Sequence, residues 1–243
     1  MAMSAQASDI TPPPADHAAP SALHIRQTAL KRGGRLLFEQ LDFSLNAGEM
    51  VILRGANGCG KSSFMRALMG YLPFASGTIT LDQIDVTADR EFLWHNTSYL
   101  GHKNGLKPTL SLRENLQIYF GLTYGRAAAD DHILAVTEQL NMPRLLDDPV
   151  QYFSSGQTRR AALCQLPLLM KSIWIMDEPT VGLDKQNRER LRDMMQNHLS
   201  KGGMILAATH EDLGLSGRYI ELEDFLPHQE EQNLTHDPEG WTL

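Results

Sequence analysis

Gly55-Ala56-Asn57-Gly58-Cys59-Gly60-Lys61-Ser62 is the stretch that decides the reading of this chain. It matches G-x-x-x-x-G-K-[ST], a loop whose glycines let consecutive backbone N–H groups curl onto phosphate oxygens. The pattern carries weight only between a strand and a helix. Both flanks are present. Met50-Val51-Ile52-Leu53 is an apolar run bounded by Gly48 and Gly55, as a buried strand would be. After Gly60, KSSFMRALMGYL puts Phe64, Leu68 and Tyr71 on one helical face. The helix N-terminus adds partial positive charge toward a bound anion. Lys61 offers a point charge to the β- and γ-phosphates, and the Ser62 hydroxyl is a ligand for Mg²⁺. The segment from Gly55 through Ser63 is therefore expected to bind a nucleoside triphosphate.

Working outward, Ile173-Trp174-Ile175-Met176 is a second buried strand, and it ends in Asp177-Glu178. Alternation along the strand is expected to send the two carboxylates in different directions. Asp177 suits the Mg²⁺ shell, and Glu178 suits orienting and polarising an attacking water. Met204 to Ala208 is a third strand, with His210 just beyond it as a group that can contact a γ-phosphate. Between the last two strands, Leu191, Met194, Met195, His198 and Leu199 follow a helical repeat. Strand–helix–strand alternation implies a largely parallel sheet covered by helices.

Residues from about 87 to 150 differ. Ser111-Leu112-Arg113-Glu114 is a capping box, a second helix covers about 130–141, and a third begins near Ser154 and should kink or end at Pro167. These helices look inserted. The third opens with Phe153-Ser154-Ser155-Gly156-Gln157, followed by Arg159 and Arg160. Ser-Ser-Gly alone is a plain helix cap. Its weight comes from lying about twenty residues before Asp177-Glu178 beside exposed helix N–H groups.

Composition narrows the function classes. The 243 residues are 42% hydrophobic and 21% charged, an ordinary globular balance. The net charge of −7 resides in the stretch from Tyr219 onward, which holds seven acids and no Lys or Arg, so Met1 to Arg218 is neutral. No basic field is present to hold a nucleic-acid backbone. Cys59 and Cys164 make no disulfide framework and no metal pair, as suits a reducing cytosol. Cys59 is either a tolerated small residue or a thiol activated by the loop's field. No apolar run reaches the roughly 18–20 residues needed to span a bilayer. The N-terminal Ala/Pro/Ser-rich lead-in has no secretory pattern. The expected division is a disordered extension over 1–22, one domain over 23–225 with a helical lobe at about 87–170, and a flexible acidic tail over 226–243.

Five motifs now stand in order: the phosphate loop at 55–62, a signature-like FSSGQ at 153–157, the acidic strand end at 173–178, Gly182-Leu183-Asp184, and His210. In that order and spacing, residues 23–222 resemble the ATP-binding subunit of an ABC transporter. The resemblance implies an α/β P-loop cassette: a RecA-like, mostly parallel core, an antiparallel β edge and an inserted helical lobe. It implies an ATPase using ATP and Mg²⁺, with Lys61, Glu178 and His210 catalytic, and Ser62, Asp177 and His102 around the metal. It further implies a dimer in which Ser154, Ser155, Gly156, Gln157 and Asp184 of one copy reach the nucleotide of the other.

Within that family the chain is most similar to the CcmA-type subfamily, the haem exporters of cytochrome c maturation. Tyr99-Leu100-Gly101-His102 places a His where most relatives have Gln, and the stretch from Leu106 to Leu116 is similar to the subfamily's. Arg32 stands where most relatives stack an aromatic on adenine, a task a flat guanidinium can share. The implied partners are membrane subunits resembling CcmB, CcmC and CcmD. The implied location is peripheral, on the cytoplasmic face of the bacterial inner membrane, without direct membrane insertion. Ser155 replaces the first signature glycine, which costs on the order of 1 kcal/mol if φ must be positive. Ser155 and His102 keep open a cassette that binds ATP but hydrolyses little, and another cargo is the remaining alternative.

Overall fold

The computed structural model describes residues 19–227. Most of the N-terminal lead-in and most of the acidic tail fall outside the described residues. Strands β1 (Ala22–Arg32) and β2 (Arg35–Asn46) form a hairpin; β3 (Met50–Arg54) enters the phosphate loop and α1 (Lys61–Leu68) leaves it. Then come β4 (Ser76–Leu81), β5 (Ile84–Asp85), α2 (Glu91–Asn96) and β6 (Thr97–Leu100). A helical stretch holds α3 (Leu112–Tyr124), α4 (Asp130–Gln139), α5 (Ser155–Leu163) and α6 (Gln165–Leu168). The chain continues through β7 (Ile173–Asp177), α7 (Lys185–Ser200), β8 (Met204–Ala208) and β9 (Arg218–Glu221).

The strands form two sheets, one parallel in the order β6-β7-β8-β3-β9 and one antiparallel in the order β2-β1-β4-β5. The continuous apolar runs are explained by burial on both faces of the parallel sheet. Met50, Ile52, Trp174, Met176, Ile205 and Ala207 face the core shared with the helical lobe and α7. The alternate residues Val51, Leu53, Ile173, Ile175, Leu206 and Ala208 face α1 and the antiparallel sheet. Register places the site: Ala208 is opposite both Leu53 and Asp177. At about 4.8 Å per strand, the exits of β3, β8 and β7 span about 10 Å along one edge. The phosphate loop, His210 and Glu178 all leave from that edge.

Local signals explain the helix ends. The Ser111 capping box is formed with Glu114, and Ser154 and Gln157 make a second one at α5. The helix breaks at Cys164 between α5 and α6, three residues before Pro167, whose ring nitrogen has no proton for the preceding turn.

Four expectations change. Tyr71 is not on α1's buried face: the helix stops at Leu68, Gly70 turns the chain at φ +80°, and Tyr71 is 67% exposed. Leu134, which with Ile133, Val136 and Leu140 marks the helix over about 130–141 in the sequence, is 42% exposed while those three are buried. Thr97–Leu100, placed in the helical lobe by sequence, is a strand of the parallel sheet paired with β7. Order begins before residue 23, since Ser21 donates to Asp82 and β1 starts at Ala22.

Candidate functional site

A cavity of about 340 Å³ lies at this edge, lined by Arg32, Leu37, Asn57, Gly58, Gly60, Lys61, Ser62, Ser63, His102, Asp177 and Glu178. It gathers the loop, the strand-end acids and His102 in one place. Gly60 begins α1 at φ +120°, where a Cβ would stand 3.5 Å from Leu222, Leu37 and Phe38. Glycine is required there for its backbone, while the space is merely full.

Lys61 is 7% exposed. Its ammonium donates to Gly55 O at 2.6 Å and Ala56 O at 3.2 Å, and lies 3.0 Å from His210 Nε2. Two of its three protons are taken by carbonyls, and the third reaches His210 only in the tautomer whose Nε2 carries no proton. His210 Nε2 is also 3.0 Å from Asn57 Oδ1 and 3.9 Å from Glu178 Oε1. One ring nitrogen either accepts from Lys61 or donates to Asn57. The geometry thus joins Lys61, His210 and Glu178 through a single imidazole edge.

Asp177 is 2% exposed, and its Oδ2 is buried without a hydrogen-bond partner. A buried carboxylate oxygen left unpaired at the cavity wall is suited to a hard cation. The donors here are the Asp177 carboxylate, the Ser62 hydroxyl and His102. Among the described residues no group of three or more His, Cys, Asp and Glu is placed to hold a metal alone. Mg²⁺ is commonly bound through one or two carboxylates with water and phosphate oxygens filling its shell, and Asp177 offers one such carboxylate.

Glu178 departs from the reason given by sequence. The strand ends at Asp177, and Glu178 sits at φ +48° with its N–H on Ala208 O. The two carboxylates therefore separate because the chain turns, and both still line the cavity. Arg32 reaches Ser63 Oγ at 3.3 Å, so its guanidinium lies at the cavity rim. Cys59 is half-buried, and its Sγ lies 2.8 Å from where a Cβ on Gly55 would be. Cys164 is buried, which pushes its thiol up to about 12.

The signature residues are elsewhere. Ser154 caps α5, accepting from Gln157 N at 3.3 Å while Gln157 Oε1 accepts from Ser154 N at 2.8 Å. Ser155 and Gly182 line a second cavity of about 390 Å³, which shares only His102 and Glu178 with the first. Ser155 is in α5 and outside the left-handed region, so the lost glycine costs no backbone strain here. Gly156 is tighter: a Cβ would stand 2.7 Å from Gly182 O. Asp184 caps α7, its Oδ1 accepting from Asn187 N at 2.8 Å.

A family model described as ABC transporter matches residues 38–181. The chain belongs to the ABC transporter family. Two relatives share the description "Cytochrome c biogenesis ATP-binding export protein CcmA". That of Brucella abortus is 36% identical over 80% of this chain and 88% of its own length. That of Bradyrhizobium diazoefficiens is 39% identical over 81% of this chain and 96% of its own. A putative ABC transporter ATP-binding protein from Pyrococcus furiosus superposes with a TM-score of 0.75 at 20% identity, covering 85% of this chain and all of that one. The last comparison speaks for the fold, an α/β ABC cassette.

Two residues of this ABC cassette escaped the sequence reading. Arg159 is 4% exposed beneath the turn that follows β7, and burial pushes its guanidinium down to about 10 while Asp177 and Glu178 oppose the shift. A signal existed: Arg159 shares a helical face with Ala162, Leu163 and Leu166, all buried, so a charge stands in an apolar stripe. Glu223 accepts the Ala56 N–H at 2.6 Å from the far end of the chain. It carries no local signal.

Proposed function

We propose that this chain is the ATP-binding and ATP-hydrolysing subunit of a membrane export complex serving cytochrome c biogenesis, with haem as the cargo. The observation that carries the reading is the single cavity holding Lys61, Asp177 and Glu178. The relatives named for cytochrome c biogenesis support the choice of complex. Lys61 and the N–H groups of Gly58 to Ser62 take the phosphates, with Gly55, Ala56, Asn57 and Cys59 shaping the loop and Arg32 lying against the base. Ser62, Asp177 and His102 would hold Mg²⁺. When bound, the ion neutralises charge on the phosphate oxygens. Glu178 orients the attacking water and polarises it, and His210 donates to the γ-phosphate.

The signature residues do not line the Lys61 cavity of their own chain, which supports action on a second copy. In the dimer, Ser154, Ser155, Gly156, Gln157 and Asp184 of one subunit close over the nucleotide of the other. Loss of the bridging charge on hydrolysis opens the pair. Membrane subunits resembling CcmB, CcmC and CcmD receive the movement through residues 101–110. This subunit sits peripherally on the cytoplasmic face of the inner membrane. Among the described residues no helix is long and apolar enough to cross a membrane.

Glu178→Gln tests the core of the reading. It keeps the shape and removes the base. ATP affinity is expected to hold while turnover falls by about 10²-fold or more. Wild-type turnover in that variant would sink the assignment. Purification of the complex from membranes, with mass identification of its subunits, tests the partners.

A further inference from the structure

Arg159 makes a set of contacts that the reaction as described does not use. It lies on α5, two residues beyond the signature Gln157. Nη2 donates to Asp177 O at 2.7 Å and to Glu178 O at 2.8 Å, and Nε to Pro179 O at 3.4 Å. Nη1 donates to Gly101 O at 3.1 Å and to Asn104 Oδ1 at 2.9 Å. All five guanidinium protons are engaged, four of them on backbone carbonyls. Three of those carbonyls are consecutive and belong to the turn that carries Glu178. The other pair of contacts brackets His102.

This arrangement bears on geometry more than on charge. Glu178 holds a left-handed backbone, φ +48°, without being glycine. Such a conformation persists only where its surroundings over-determine it. Arg159 fixes the carbonyls on both sides of that residue and its own. It also fixes the turn at 101–104, which places His102 at the wall shared by the two cavities.

We infer that Arg159 is a positioning residue for hydrolysis, a five-point clamp that locks the signature helix to the Glu178 turn and to the His102 turn of the same subunit. It touches neither the nucleotide nor the metal ligands' side chains. It makes the helix presented to one nucleotide and the carboxylate presented to the other a single rigid unit. The inference rests on the proposed role of Glu178.

The test uses the full chain with three variants: Arg159→Lys, Asn104→Ala and Glu178→Gln. Lysine keeps the charge but offers three protons from one point, so it cannot span the two turns. Three quantities are measured: affinity for a fluorescent ATP analogue, phosphate release at saturating ATP, and the thermal midpoint. A displacement of about 1 Å at a reacting group costs about 10²-fold. Arg159→Lys is therefore expected to leave nucleotide affinity within about twofold and to lower turnover by about 10- to 100-fold. Asn104→Ala removes one contact of five from a partly exposed side chain, and is expected to lower turnover by about 3- to 10-fold at unchanged affinity.

Turnover within about twofold of wild type in either variant overturns the clamp, since a positioning group must register in rate. Parallel loss of affinity, turnover and thermal midpoint in both overturns it too, because that marks simple support of the fold. Should Arg159→Lys fail to fold, Asn104→Ala decides alone. Glu178→Gln separates the two readings. If it is inactive while Arg159→Lys turns over normally, only the clamp fails; if it is active, the reading of the site fails first.

Discussion

His198 gives a prediction whose size follows from the structure. Its ring stacks on Trp174 with centroids 3.8 Å apart and planes 6° apart. Gly203 packs so closely that a Cβ there would stand 2.3 Å from His198 Nε2. That nitrogen is buried and has no hydrogen-bond partner. Burial pushes the imidazole from 6.5 down to about 4; hydrogen bonding with the Met204 and Ser172 backbone opposes the shift, and Lys201 adds to it. A histidine lowered on folding favours the native state as its neutral ring. That contribution is complete above about pH 6.5 and is withdrawn as pH falls toward 4. With 1.36 kcal/mol per unit, the loss from about pH 7.5 to about pH 5 comes to about 2 kcal/mol. His198→Phe keeps a flat ring in the slot and cannot titrate. Urea unfolding at the two pH values is the assay. The wild type should lose about 2 kcal/mol more than His198→Phe over that interval. Equal losses in the two proteins would show that the ring is already solvated, and the argument from burial would be wrong. The strand at stake is β7, which ends in Asp177.

Three further outcomes are expected. Lys61→Ala removes the point charge and leaves two loop carbonyls unpaired; with charge-assisted hydrogen bonds at about 1.5–3 kcal/mol, ATP affinity should drop by about 10- to 100-fold in a nucleotide titration. Gly156→Ala forces a Cβ to within 2.7 Å of Gly182 O, so the α5 start or the 182 turn must move; unfolding should show about 1–3 kcal/mol of destabilisation, and unchanged stability would mean the turn yields freely. Alkylation of the half-buried Cys59 should slow when ATP is bound, since the thiol stands within the phosphate loop; equal rates with and without ATP would show that the nucleotide does not cover it.

What could be read from sequence was the part written in continuous or local patterns. The three central strands are unbroken apolar runs because both faces are buried, and their ends mark the edge where the cavity with Lys61, Asp177 and Glu178 lies. The Ser111 capping box depends on residues three apart, so it too was visible, whereas at Ser154 only a plain cap was read and the structure adds Gln157 as its reciprocal partner. Strand β6 was not. Its sequence is Thr-Ser-Tyr-Leu, and Thr97 and Ser98 are buried polar residues of an edge strand, with no apolar run to mark it. Gly70 was visible as a residue but not weighed as a stop, so Tyr71 was drawn into the helix. The Arg159 and Glu223 contacts join segments far apart in the chain. Only the fold brings their partners within reach, and no spacing rule encodes that.

Lys61 shows why the missing part matters to mechanism. Its ammonium donates to Gly55 O and Ala56 O and lies 3.0 Å from the edge of His210. The same Ala56 peptide is held from its other side by Glu223, whose carboxylate accepts its N–H at 2.6 Å. A bound triphosphate would therefore exchange two neutral carbonyl acceptors of Lys61 for charged oxygens. Charge-assisted bonds are roughly twice as strong as neutral ones, so the exchange runs toward the phosphate. The same exchange withdraws Lys61 from His210 Nε2. The lysine and the histidine are thus set by one event, although 149 positions separate them in sequence.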